Sequence, residues 1–243
     1  METLMTPEFW IAVGQIIMID ILLGGDNAVV IALACRKLPP AQRTQGILWG
    51  TAGAIVLRVI LIFFALQLLA IPFLKLTGAL LLLWIGIKLL VPEGDDAHGN
   101  IEGSDRLWGA VKTVIVADMV MSVDNVIAIA GAAETAGGDH TMPLVIFGLL
   151  VSIPIIVWGS QLVIKLMDRY PLIIVLGAML LGWIAGTMAV TDPAIVNPSV
   201  FPQFPKLVET GWVKYLAGVI GALLVLGLGK WFARRSVAAR ASR

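Results

Sequence analysis

The chain has 243 residues, of which 59% are hydrophobic and only 14% charged, and its formal net charge is +1. A mean hydropathy of +0.95 excludes an ordinary soluble domain, whose surface at this length needs far more polar residues. The single cysteine, Cys35, excludes an intramolecular disulfide and leaves no thiol partner for a metal or redox pair.

The N-terminus begins Met1-Glu2-Thr3 with an acid and no basic stretch, so no cleaved leader is expected. A helix needs about 20 mostly apolar residues to cross the hydrocarbon core. The first such run covers residues 9–35 and carries Asp20, Gly24-Gly25, Asp26 and Asn27. Asp20 and Asn27 share a helix face, and Asp26 points about 120° away from Asp20 in a regular helix. A bend or unwinding at Gly24-Gly25 is the expected device for turning both carboxylates to one cavity.

Pro39-Pro40 then marks a turn, and a second run, 45–70, carries Arg58 near its middle. A third run covers 72–91. The segment 92–106, PEGDDAHGNIEGSDR, is polar and acidic, with Glu93, Asp95, Asp96, His98, Glu102 and Asp105, and reads as a solvated charged loop. The fourth run, 107–133, carries Asp118, Asp124 and Asn125. A fifth (142–165) and a sixth (171–190) follow, then a loop at 191–211, a seventh run at 212–232 and a basic tail at 233–243. Glu134, Asp139 and His140 stand together before the fifth run as a candidate external mouth. Gln15, Gln67, Ser152, Pro154 and Gln161 serve equally as path-lining or packing residues.

Lys and Arg fix the expected orientation. With the N-terminus outside, thirteen basic residues fall on the cytoplasmic side, and three, Lys75, Lys206 and Lys214, fall outside. The chain is therefore expected to be N-out and C-in, in the cell (inner) membrane.

An internal duplication organises the spans. Residues 20–34, DILLGGDNAVVIALA, and 118–132, DMVMSVDNVIAIAGA, share both aspartates, the asparagine and three further positions at an offset of 98. GALLLLW at 78–84 likewise resembles GAMLLGW at 177–183. A repeat of three crossings starts its second copy from the opposite side. The fold expected is all-α and integral to the membrane: seven transmembrane helices, made of two inverted three-helix repeats (9–91 and 107–190) plus a seventh helix. Such repeats place substrate near the midplane, where they meet.

Charges buried at that depth cost several kcal/mol and mark functional sites. Asp20, Asp26, Asp118 and Asp124, with Asn27 and Asn125, are the candidate metal ligands. Hard oxygen donors of this kind suit Mg²⁺, Ca²⁺ or Mn²⁺, whereas Met18, Met119 and Met121 read as packing. Arg58 is the candidate ion-pair or gating residue, paired with a motif aspartate such as Asp20 or Asp118. Four acids against one arginine favour a cation as the transported species.

At GGDNAVVIA and SVDNVIAIA the sequence resembles the TerC family, and the likeness covers nearly the whole chain. The resemblance implies export of manganese, or its delivery to exported metalloenzymes, and a link to tellurium resistance. It assigns Asp20, Asp26, Asn27, Asp118, Asp124 and Asn125 to the acidic motifs of that family. The expected function is thus a transporter exporting divalent metal cations, Mn²⁺ foremost, with protons as the candidate coupling ion. The alternatives are a Ca²⁺/H⁺ exchanger and a non-transporting membrane partner that supports metalation or metal and tellurite resistance. An intramembrane aspartyl protease needs two acids sharing a proton, and the sequence lacks both its GxGD signature and a Tyr-Asp partner. No enzymatic activity, prosthetic group or nucleic-acid partner is expected.

Overall fold

The computed structural model describes residues 7–64, 68, 71–91, 103–135, 141–197, 205, 208 and 211–241. Within its helices the side chains of residues 7–9, 12, 13, 15, 16, 19–25, 103, 124, 126–135, 141–145, 148 and 237–241 are not described. The described residues form seven helices and no strand: α1 (Pro7–Cys35), α2 (Pro40–Phe63), α3 (Leu74–Leu90), α4 (Gly103–Thr135), α5 (Thr141–Arg169), α6 (Leu172–Ala189) and α7 (Trp212–Ala241). Their positions match the seven apolar runs of the sequence.

Among the described residues, four stretches are both long and apolar enough to cross a membrane: Pro40–Phe63, Leu149–Arg169, Leu172–Ala189 and Trp212–Ser236. The α3 helix has 17 residues. The interior holds fully buried Leu33, Ile47, Leu82, Val114, Leu149, Met167 and Leu181. The outside is also apolar, with Val56, Phe63, Leu80, Trp158, Leu172 and Leu223 all exposed. In water such a surface would aggregate, whereas in a bilayer lipid tails cover it. The chain is an integral membrane protein in contact with lipid.

The links are short where proline sets them. Pro40 opens α2 at its first turn, where its missing N–H costs nothing. The basic residues after α1 fasten helix ends. Arg36 donates to the Leu89 carbonyl at 2.9 Å and Lys37 to the Val91 carbonyl at 3.2 Å, supplying partners to carbonyls that the end of α3 leaves open. Arg43 donates to the Leu38 and Arg36 carbonyls at 3.1 and 2.9 Å and pairs with Asp168 at the end of α5 at 2.8 Å.

The helices pack in a crossed pattern. The α1 helix lies against α4 and α5, and α2 lies against α4. A second group forms where α3 packs on α6 and α7 packs on both. Glycines set the closest approaches. A Cβ added at Gly78 on α3 would meet Val120 of α4 at 2.7 Å, and one at Gly177 on α6 would meet Val29 of α1 at 2.8 Å. These two glycines are the duplicated pair of the sequence, and each seats its helix against a motif helix. Small residues are the usual means of close helix contact in lipid.

Candidate functional site

The motif helices α1 and α4 touch, and α2 supplies a cation between them. Arg58 is 2% exposed. Its guanidinium forms an ion pair with the Asp118 carboxylate on α4. Its Nε donates to Ser122 Oγ at 3.0 Å. Ser122 in turn donates to Asp118 Oδ2 at 3.0 Å. Asp118 and Ser122 are four residues apart, so both project from one face of α4. The three side chains close a ring in which the charge of Asp118 is matched and its second oxygen is bonded. Gly50 and Gly53 on the same helix as Arg58 lie against Val114 and Ile115 of α4. That contact brings the arginine within reach.

Asp26 of α1 stands within electrostatic reach of both Asp118 and Arg58. Asp118 holds the ion pair with Arg58, and Asp26, from the other motif, is near enough for both charges to act on it. Next to it, Asn27 is 2% exposed. Among the described residues Asp26 Oδ1 and both polar atoms of the Asn27 amide have no hydrogen-bond partner. A buried polar group in that condition costs roughly 1–3 kcal/mol, and such groups are usually explained by a missing ligand or a functional role. Thr51 Oγ1, on the same face of α2 as Arg58, is also buried and unpartnered among the described residues.

Asp20 lies on α1 and Asp124 on α4, with their side chains outside the described residues. Asn125, on α4, is half-buried. The structure thus brings Asp26, Asn27, Asp118 and Arg58 into one buried region and leaves the Asp20 and Asp124 carboxylates undetermined. Among the described residues no three His, Cys, Asp or Glu side chains cluster as a metal site. Glu93, Asp95, Asp96, His98 and Glu102 of the acidic segment, with Asp139 and His140, lie outside the described residues, as does the Glu134 side chain.

One expectation is corrected. The α1 helix runs unbroken from Pro7 to Cys35, through Gly24-Gly25. Neighbouring helices hold it on several sides, and a glycine pair weakens a helix by only about 1 kcal/mol per residue. In a continuous helix positions 20 and 26 stand about 120° apart around the axis. Asp26 meets the site instead through the packing of α1 on α4.

Ser122 and Thr51 were not candidates in the sequence. Ser122 stood only as the counterpart of Gly24 in the repeat, though its spacing from Asp118 carries the signal. Asp192 was missed as well. It is fully buried and lies on the loop after α6. Its carboxylate accepts the backbone N–H of Phe73 at 2.9 Å, of Leu76 at 3.0 Å and of Ala194 at 2.8 Å. It caps α3 from a distant part of the chain. Phe73 there adopts a left-handed φ of 66°.

The family model described as "Integral membrane protein TerC family" matches residues 5–237. The chain is 45% identical over 206 residues to the uncharacterized membrane protein YjbE of Bacillus subtilis, covering 85% of this chain and 90% of that one. It is 28% identical over 196 residues to the uncharacterized membrane protein YceF of the same organism, covering 77% and 74%. It is 24% identical over 221 residues to the inner membrane protein YgdQ of Escherichia coli, covering 82% and 88%. No solved structure is significantly similar to the chain.

Proposed function

The chain belongs to the TerC family of integral membrane proteins, and from that premise we propose that it is a transporter exporting divalent metal cations, Mn²⁺ foremost. The observation that carries the reading is the buried Arg58–Asp118 ion pair, with the Asp26 carboxylate of the other motif within electrostatic reach of it, in the interior of a membrane protein. Buried acids in a lipid-embedded core mark ion pathways. A divalent ion entering hydrocarbon must exchange its water for hard oxygen donors. Asp26 Oδ1 and the Asn27 carbonyl oxygen, both buried and unpartnered among the described residues, are such donors.

In this reading Arg58 is a tethered cation that holds Asp118 until a mobile cation arrives. Substrate binding draws Asp26, Asn27 and Asp118 inward, and Asp20, Asp124 and Asn125 complete the ligand set. Two inverted three-helix repeats provide alternating access around that site. Supporting this symmetry, α1 packs on α5 while α2 packs on α4, which is the exchange a two-fold axis relating α1 to α4 and α2 to α5 requires. The orientation is N-out and C-in, following the basic residues.

The decisive experiment is Mn²⁺ uptake into proteoliposomes containing only this protein. Uptake that an imposed proton gradient accelerates supports coupled transport. Uptake of Ca²⁺ in preference to Mn²⁺ supports the exchanger. Binding of Mn²⁺ by the purified protein without uptake rejects transport and favours the metal-supporting membrane partner.

A further inference from the structure

The buried face of α2 carries Ile47, Ala54, Ile55 and Leu61, and only two of its buried residues are polar, Thr51 and Arg58. Thr51 is 2% exposed, and its hydroxyl has no hydrogen-bond partner among the described residues. Other hydroxyls on the helices behave differently. Thr113, Ser152, Ser160 and Thr187 each donate to a carbonyl three or four residues earlier on their own helix, at 2.8 or 2.9 Å. That local bond is the ordinary outlet for a threonine in a helix, and Thr51 does not make it.

Helix packing places Thr51 beside the Arg58 region. Arg58 stands seven residues on, on the same face of α2 and about 10 Å along its axis. The contacts with α4 rise in the same order. A Cβ added at Gly50 would meet Val114, and one at Gly53 would meet Ile115, before Arg58 reaches Asp118 and Ser122. Thr51 is therefore level with Val114, one turn short of Asp118. The α1 helix approaches from its other end. A Cβ at Gly46 would meet Cys35 Sγ at 3.1 Å, and α1 leads back from there to Asn27 and Asp26. Measured from that contact, Thr51 lies about 7.5 Å along α2 and Asn27 about 12 Å along α1, so their levels differ by less than about one turn. Apart from Gln42 in the first turn of α2, Asp26, Asn27 and Thr51 hold every buried side-chain oxygen without a partner among the described residues.

We propose that Thr51 is a further ligand of the transported cation, giving its hydroxyl oxygen beside Asp26 Oδ1 and the Asn27 carbonyl oxygen. This role rests on the metal-transport reading and deepens it. These three oxygens are unpartnered while Arg58 still holds Asp118, so they form the seat that the ion reaches first. Asp118 joins when the charge of the ion competes with the guanidinium. A hydroxyl is a hard oxygen donor, and it adds no charge to be stranded in the core when the ion leaves.

Mn²⁺ binding by the purified protein tests the role by titration calorimetry, with Tm measured in parallel without metal. Thr51→Val keeps the branched shape and removes the hydroxyl. It should bind Mn²⁺ about tenfold more weakly, the low end of what removal of a group supporting a metal site costs. Without metal it should melt no lower than wild type, because the hydroxyl it removes is buried and unpaired. Thr51→Ser should recover most of the affinity. Wild-type affinity in Thr51→Val, with binding lost in Asp26→Asn, overturns the role of Thr51 and leaves the transport reading standing. Thr51→Ser binding as weakly as Thr51→Val assigns the effect to the methyl group and overturns it too, as does a metal-free Tm of Thr51→Val below wild type. No Mn²⁺ binding by the wild-type protein rejects the transport reading, and the ligand role with it.

Discussion

The buried Asp192 carboxylate accepts the backbone N–H of Leu76 at 3.0 Å, joining the loop after α6 to the first turn of α3 across 116 residues of chain. The N–H groups of Phe73 and Ala194 converge on the same carboxylate. Burial pushes this carboxyl up, but the N–H donors of Leu76, Phe73 and Ala194 outweigh it and hold it below the ordinary carboxylate range. Asp192→Ala leaves those amides without acceptors and should cost about 3 kcal/mol. The folded-state pKa is lower than the unfolded one, so the stabilisation is present above the unfolded value, about 4. It is lost as pH falls through the lower folded value. Tm of the purified protein should therefore exceed that of Asp192→Asn near neutrality, with the gap closing only in acid below about pH 4. A gap that stays constant into strong acid would show that the charge is irrelevant.

Arg58 and Asp118 should be more sensitive as a pair than either suggests alone. Removing one partner of a buried pair strands a charge and costs about 3–5 kcal/mol. Arg58→Ala should accordingly lower Tm and abolish normal transport, and Asp118→Asn added to it should recover part of the stability by removing the stranded carboxylate. Arg58→Lys keeps the charge but not the fork that reaches both Ser122 and Asp118. It is expected to fold with altered transport. Wild-type transport by Arg58→Ala would make the arginine a packing residue only.

The helices were legible in the sequence because lipid allows little besides helices, and apolar runs at 9–35 or 212–232 therefore declare themselves as helical. The arrival of Arg58 near the motif was legible too, since a lone buried guanidinium must find an acid. Which acid, and that Ser122 would complete the ring, depended on how α2 packs on α4. Asp192 was illegible for a different reason. In a loop of Thr191, Asp192 and Pro193 it looks like any turn residue, and only the tertiary approach of α3 makes it a cap.

Glycine contacts between α6 and α7 should be similarly unforgiving. A Cβ placed on Gly186 would land on the Ala217 carbonyl, and one on Gly221 on the Gly182 carbonyl. The neighbours are backbone, so they cannot swing aside. Gly186→Ala should separate the helices and cost about 1–3 kcal/mol, read as a lower Tm. Gly227→Ala on the same α7, where a Cβ meets nothing within 4 Å, should leave Tm unchanged or raise it. Equal tolerance at both positions would mean that α6 and α7 do not pack this closely.

The transport reading stands or falls on the duplicated carboxylates. Asp118 is paired with Arg58 and Asp26 lies within electrostatic reach of both, and at the offset of 98 Asp124 is the counterpart of Asp26 and Asp20 that of Asp118. Asparagine keeps the size of aspartate and one neutral oxygen but removes the charge that offsets a divalent ion's lost hydration. Each Asp→Asn variant should therefore weaken Mn²⁺ binding by the purified protein and lose protection of cells that lack other manganese exporters. The Asp118→Asn variant differs from the rest, because it also frees Arg58 from its ion pair. A guanidinium left near Asp26 would compete with substrate for that carboxylate, so this variant should be the most impaired in binding. Adding Arg58→Gln to it should restore part of the Mn²⁺ affinity if Arg58 acts as a tethered competitor. If the double variant Asp26→Asn, Asp124→Asn still binds Mn²⁺ when purified and still protects cells, the acidic motifs do not form the transport site.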